Sequence, residues 1–283
     1  MKLIAVDLDG TLLTSDSLPS PEGLEAIREA VAKHHAVTLC TGRASFDANS
    51  LTGDLSIPII ASNGAEIYDR HGRLLRETPI APDVAADAVR YLMKQQVYFE
   101  IFCPEAIYSP SDGEQKLQAE MDVLVSANPE VDRDQLWKSA QIQFIQFGFR
   151  GIDQPLQLLE RGLPVYKLLV YTFDDDKLDE ITRHFNAQAQ VHTTSSSNHI
   201  IEVISTETDK GKALRFLAGH LGVDLSDTVV IGDSFNDISM FEVAGTKVAM
   251  GNAVDEIKRL SSMVTKSNNE HGVAYALRQL LKL

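Results

Sequence analysis

The sequence has no long apolar run. Its first, Leu3 to Val6, stops at Asp7, and four residues fall far short of the roughly 20 of a membrane span or the apolar stretch of a signal peptide. No later run is long enough either, so no membrane partner is expected. Cysteine is nearly absent: Cys40 and Cys103 cannot make a disulfide framework and show no CxxC spacing for zinc or redox work, which fits a reducing cytoplasm. Positive charge is in deficit, with 26 Lys and Arg against 40 Asp and Glu and a net charge of −14. Such a chain repels polyphosphates and anionic membranes, so nucleic acid is not an expected partner, and any phosphate recognition needs a local positive site or a metal. Three motifs are missing as well. There is no GxGxxG, Gly211-Lys212-Ala213 does not complete a P-loop, and no GxSxG marks a serine hydrolase. Eight histidines lie without ligand spacing; the adjacent His34 and His35 would point to different faces of a helix.

What is present is an ordinary globular composition, 44% hydrophobic and 23% charged over 283 residues, long enough for one large domain with an insertion. Leu3 to Val6, Val37 to Cys40, Ile57 to Ala61 and Val229 to Ile231 are short β-branched runs without alternation. They read as strands buried on both faces, the pattern of a parallel sheet. Helical spacing falls between them: Leu24, Ile27 and Val31 behind Ser20-Pro21, and Leu214, Leu217, Ala218 and Leu221 before Gly222. The fold class is therefore α/β, and a ligand is expected at the carboxyl ends of the strands.

From about Pro82 to Thr206 the texture changes to aromatic strand-like runs, Val97 to Phe102, Ile142 to Phe149 and Val165 to Thr172. Helical patterns at Val84 to Met93, Glu114 to Val125 and Lys177 to Phe185 alternate with them. The expected division is a discontinuous core, residues 1–81 and 207–283, with an inserted α+β domain at 82–206 over its strand ends. Thr194 to Asn198 reads as a hairpin turn, and Asp174-Asp175-Asp176 as a helix cap.

Asp7-Leu8-Asp9-Gly10-Thr11 places two carboxylates directly after a buried strand, and Gly232-Asp233-Ser234-Phe235-Asn236-Asp237 does the same at a second strand end. Carboxylates converging on one sheet edge need a cation. Hard oxygen donors without His or Cys point to magnesium, which keeps several waters and binds substrate phosphate. A phosphate would also need donors, and Lys210, Thr41 and Thr11 are available, Lys210 at the start of a helix.

In order, Asp7-Leu8-Asp9-Gly10-Thr11-Leu12, Thr41-Gly42-Arg43, Lys210-Gly211 and Gly232 to Asp237 resemble the four motifs of the haloacid dehalogenase superfamily. Ser62-Asn63-Gly64-Ala65, Ala249 to Ala253 and Thr265 to Ala274 look like its Cof-type branch, nearest the YidA-like sugar phosphatases. The resemblance implies a Rossmannoid core of parallel sheet and flanking helices with an inserted α/β cap that selects substrate. It implies a phosphoric monoester hydrolase acting on small phosphorylated metabolites with Mg²⁺. Asp7 would be the nucleophile and form an aspartyl-phosphate. Asp9 would be the general acid and base, its backbone carbonyl also on the metal. Asp233 would be the second carboxylate ligand, Asp237 a support of the metal shell, and Lys210 the neutralising ammonium. Thr41, Gly42 and Asn236 would hold phosphoryl oxygens, with Thr11 a further hydroxyl donor and Arg43 a contact to substrate.

Two positions depart from the family pattern. Glu207-Thr208-Asp209 brings acids before Lys210, where the family often has Gly-Val-Ser, and Ser234 replaces a frequent Asn. Neither removes a catalytic group. A phosphomutase and a metabolite-sensing module that keeps the site for binding are the competing readings. In the insert, Glu100, Tyr108, Tyr166 and His199 come into question for selectivity, each more simply structural. Oligomeric state is not legible.

Overall fold

The computed structural model describes residues 1–282. The chain forms two compact units, one of Met1–Thr78 with Thr208–Leu283 and one of Pro79–Glu207. The junctions lie a few residues from the expected 81/82 and 206/207. Ile80 pairs with Val165 in an antiparallel bridge, which ties the residues just before Pro82 into the second unit.

The first unit is built on an eight-stranded sheet. Its order is Met263–Val264, Thr246–Ala249, Thr228–Gly232, Leu3–Val6, Ala36–Cys40, Ile59–Ala61, Glu66–Tyr68 and Leu74–Glu77. The first six strands are parallel and the last two form an antiparallel edge, so the sheet is mixed where a parallel one was expected. Every residue of Leu3–Val6 is buried, so both faces of the sheet are covered there, as an unalternating apolar run requires. Helix Pro21–Ala32 packs on Gly272–Leu281, and Lys210–Leu221 on Ile238–Val243. Local chemistry sets their ends: the Ser20 hydroxyl accepts from the Gly23 amide ahead of Pro21, and Gly222 ends its helix at φ +67°. The first of these helices stops at Ala32, and His34 follows at φ +63°, so the two adjacent histidines lie past the helix and not on its faces.

Chain order runs outward from Leu3–Val6 in one direction and returns to Thr228–Gly232 on its other side. The strand order therefore reverses at these two neighbours, and in open α/β sheets the crevice at such a reversal is where ligands bind.

The second unit has a six-stranded sheet in the order Val191–Ser197, Ile200–Ser205, Lys167–Tyr171, Tyr98–Phe102, Ile107–Pro110 and Phe149–Ile152, antiparallel except for the last pair. Phe99, Ile101, Leu168, Val170, Ile201 and Val203 join an aliphatic core with Val84, Val89 and Leu92 of helix Pro82–Gln95 and Ile181 and Phe185 of helix Asp175–Asn186. Alternation puts Tyr98, Glu100, Lys167 and Glu202 on the opposite face. They are buried there in polar contacts: Tyr98 Oη donates to Glu100 Oε1 at 2.6 Å, and Lys167 pairs with Glu202. The aromatic run Ile142 to Phe149 is not one strand. Asp132 caps a helix, Arg133–Phe144, which Gly148 at φ +83° separates from strand Phe149–Ile152. The hairpin turn narrows to Asn198-His199, because Thr194 to Ser197 continue the strand. Asp174 caps its helix as expected, accepting from the Lys177 amide. Among the described residues no helix is long and apolar enough to cross a membrane.

Candidate active site

Asp7 extends the sheet by one residue, its amide donating to the Ile231 carbonyl at 3.0 Å. The chain then turns through Leu8–Leu12, with Gly10 at φ +73°. A β-carbon on Gly10 would lie 2.3 Å from Asp233 Oδ2, so only glycine lets the two acidic loops approach. Thr11 Oγ1 closes the contact by donating to Asp233 Oδ1 at 2.8 Å. Asn252 Nδ2 donates to the Gly10 carbonyl and Asn268 Nδ2 to the Leu13 carbonyl, so these two motif asparagines buttress the acidic turn.

Lys210, the first residue of helix Lys210–Leu221, is fully buried and donates to Asp7 Oδ1 at 2.7 Å and to Asp237 Oδ1 at 2.6 Å. The other oxygen of Asp237 accepts from the amides of Asp233 and Ser234 at 2.8 and 3.1 Å. Both Asp237 oxygens are thus engaged by protein donors. Asp237 braces Lys210 and the Asp233 loop. The two family departures also resolve. Asp209 caps the Lys210 helix, its carboxylate accepting from the Lys212 amide at 2.7 Å, and Ser234 forms a reciprocal cap with Asp237.

A second set of contacts joins the remaining residues. Arg43 Nε and Nη2 grip both oxygens of Asp9 at 2.8 and 2.7 Å, and Nη1 reaches Asp47 at 2.7 Å. The Arg43 amide donates to Thr41 Oγ1 across Gly42, the Asn63 amide to the Thr41 carbonyl, and Asn236 Nδ2 to Asn63 Oδ1 at 3.3 Å. Asp7, Thr11, Lys210, Asp233 and Asp237 therefore form one bonded group, and Asp9, Thr41, Arg43 and Asn236 another. Asp47 and Asn63 were not singled out as site residues. Asp47 could have been found as a carboxylate four residues after Arg43, while the buried Asn63 at φ +55° lies in a turn that only the fold brings to Thr41.

Carboxylate oxygens of Asp7, Asp233 and Asp237 lie within 4.8 Å of one another. Burial pushes the Asp7 carboxyl well above the usual carboxylate range, and the Asp237 and Asp233 charges add to this against the pull of Lys210. Burial and Asp237 likewise push Asp233 up to about 7. Burial alone would lower the Lys210 amine, but Asp237 and Asp7 hold it well above the lysine range. Three carboxylates thus share one ammonium. The pocket is short of positive charge, and an all-oxygen donor set in that condition fits a hard divalent cation. Cys40 nearby is buried, which pushes its thiol far up, so it is an inert core residue.

Residues 4–277 match the family model of haloacid dehalogenase-like hydrolases. The chain is 47% identical over 281 residues to the 5-amino-6-(5-phospho-D-ribitylamino)uracil phosphatase YwtE of Bacillus subtilis, covering 99% of this chain and 98% of that one. It is 40% identical to phosphatase YwpJ of the same organism, over 99% and 100% of the two chains. A solved haloacid dehalogenase-like hydrolase from B. subtilis superposes with a TM-score of 0.87 at 39% identity, covering 99% of this chain and 100% of the other. The chain belongs to the haloacid dehalogenase-like hydrolases, among their Cof-type phosphatases.

Proposed function

We propose that the protein is a Mg²⁺-dependent phosphatase of small phosphorylated metabolites, acting on sugar phosphates and ribityl phosphates through an aspartyl-phosphate. The observation that carries this reading is the Lys210 ammonium set between Asp7 and Asp237 beside Asp233, a nucleophile with its charge partner and a place for a cation. The carboxylates of Asp7 and Asp233 and the backbone carbonyl of Asp9 would hold Mg²⁺, with Asp237 supporting them. Bound there, the ion supplies the positive charge that lets Asp7 stay ionised next to a phosphate. An Asp7 oxygen attacks phosphorus in line as the bond to the leaving oxygen breaks, and Asp9 gives that oxygen its proton. Asp9, now a carboxylate, takes a proton from the water that hydrolyses the acyl phosphate. Thr41, Gly42 and Asn236 hold phosphoryl oxygens, and Lys210 balances their charge.

The ribityl phosphate class is drawn from the name of the 47% identical relative, and the wider sugar phosphate class from the sequence motifs. Selection of the leaving group falls to the inserted unit, and a reducing cytoplasm suits a chain whose two cysteines, Cys40 and Cys103, form no disulfide. Phosphate release from sugar phosphates, ribityl phosphates, nucleotides and p-nitrophenyl phosphate, with Mg²⁺ or EDTA, tests the reading. Metal-dependent release by the wild type and none by Asp7→Asn is the expected result. Equal activity in Asp7→Asn rules the mechanism out. Release of inorganic phosphate without a sugar bisphosphate counts against a phosphomutase, which returns the phosphoryl group to a sugar; no release from any compound would favour the phosphomutase or a sensing module.

A further inference from the structure

The sequence motifs give Arg43 a substrate-facing role, but its guanidinium is already committed. Two of its nitrogens grip Asp9 and the third is anchored on Asp47, which is only 2% exposed in the first turn of helix Ser45–Thr52. The Asp9 side chain, by contrast, is 52% exposed. A half-exposed aspartate exchanges rotamers freely unless something holds it, and proton transfer needs the carboxyl within about 3 Å of the reacting oxygen. The planar fork of Arg43 fixes that carboxyl in two bonds at once, and the fork itself can rotate unless its far nitrogen is tied. Asp47 supplies the tie from the first turn of helix Ser45–Thr52, four residues after Arg43.

We propose that Asp47 is a positioning residue for the reaction: through Arg43 it sets the placement of Asp9 for proton exchange with the leaving oxygen and the attacking water. When Asp9 is protonated one of its two bonds to the guanidinium opens, so that one oxygen stays on Arg43 while the other carries the proton. As the phosphorus–oxygen bond breaks, that proton passes to the departing alkoxide, and Asp9 regains one from water in the second step. This rests on Asp9 being the general acid, as argued above.

The leaving group separates positioning from general support of the fold. A sugar phosphate expels an alkoxide that needs a proton, whereas p-nitrophenolate leaves without one. The quantity to compare is kcat/KM, which reports the steps up to departure of the alcohol. Asp47→Asn is expected to lower kcat/KM for a sugar phosphate by roughly tenfold or more while changing that for p-nitrophenyl phosphate less than about twofold. Asp47→Ser, which also removes the carboxylate that ties the guanidinium, should give the same split and serves if Asp47→Asn melts early. The double variant Asp9→Asn/Asp47→Asn should be no worse than Asp9→Asn alone. Equal losses on both substrates, no loss on either, or additive losses in the double variant overturn the role of Asp47. Asp9→Asn run alone isolates the underlying reading: if it slows both substrates equally, Asp9 is not the acid.

Discussion

Replacing Gly10 by alanine measures how closely the two acidic loops are built against each other. The new methyl would meet Asp233 Oδ2 at 2.3 Å on a backbone held at φ +73°, so either the Asp7–Thr11 turn or the Asp233 loop must move. A left-handed non-glycine residue costs on the order of 1–3 kcal/mol, and displacement of a carboxylate by about 1 Å costs about 100-fold in rate. Gly10→Ala should therefore fold, melt a few degrees lower, and lose at least that much activity; near-normal turnover would mean the loops are not so coupled. The acids were readable as side chains that follow buried strands, and Lys210 as the first residue of a helix. Asn63 was not, because its role comes from what it bonds to, and Asp47 carried only the weak signal of a carboxylate four residues after Arg43. The partners of each, Arg43 and Asn236, are residues whose chemistry alone gives no hint of a second contact.

Elements were legible where one signal dominated. The four apolar runs of the core became strands, and Ser20, Asp174 and Gly222 set helix ends by local hydrogen bonding or a left-handed turn. The antiparallel edge Glu66–Tyr68 and Leu74–Glu77 was missed, its second strand being largely exposed and without an apolar pattern. Ile142 to Phe149 was misread because alternating aromatics mimic a strand. The Asp132 cap and the packing of Phe144, edge-on to Tyr98 and tilted to Trp137, favour a helix up to Phe144. Strand Tyr98–Phe102 carries a testable consequence of its own. Burial pushes the Glu100 carboxyl from an ordinary 4.5 to about 7, against the lowering effects of Tyr98, Lys167 and Gln146, with Glu202 adding to the rise. The folded state therefore binds this proton more tightly than the unfolded chain. Its contribution is full below pH 4.5 and is lost as pH rises through 7, worth about 3 kcal/mol at most. Melting curves from pH 5 to pH 8 should show the wild type losing more stability than Glu100→Gln. Parallel curves for the two proteins would mean Glu100 is ionised throughout.

At the scale of the whole molecule, the acidic balance of the sequence reappears as a concentrated local cost. The chain carries −14 overall, yet the site gathers Asp7, Asp233 and Asp237 around Lys210, so folding without a cation must bury unbalanced carboxylates. Such an arrangement stores instability that a bound cation relieves, because a ligand that binds only the folded state stabilises it by mass action. Asp233→Asn separates the two effects. Asparagine keeps an oxygen for the Thr11 hydroxyl while removing one charge from the cluster. In EDTA the variant should melt above the wild type, by about 2–4 °C if the relieved repulsion is near 1 kcal/mol. With millimolar Mg²⁺ the order should reverse, the wild type rising and the variant scarcely responding. A variant that melts lower in EDTA and responds to Mg²⁺ as the wild type does would place the cation elsewhere and leave Asp233 as a structural acid. The melts require no substrate, so they test the cation site independently of which phosphate ester the enzyme hydrolyses.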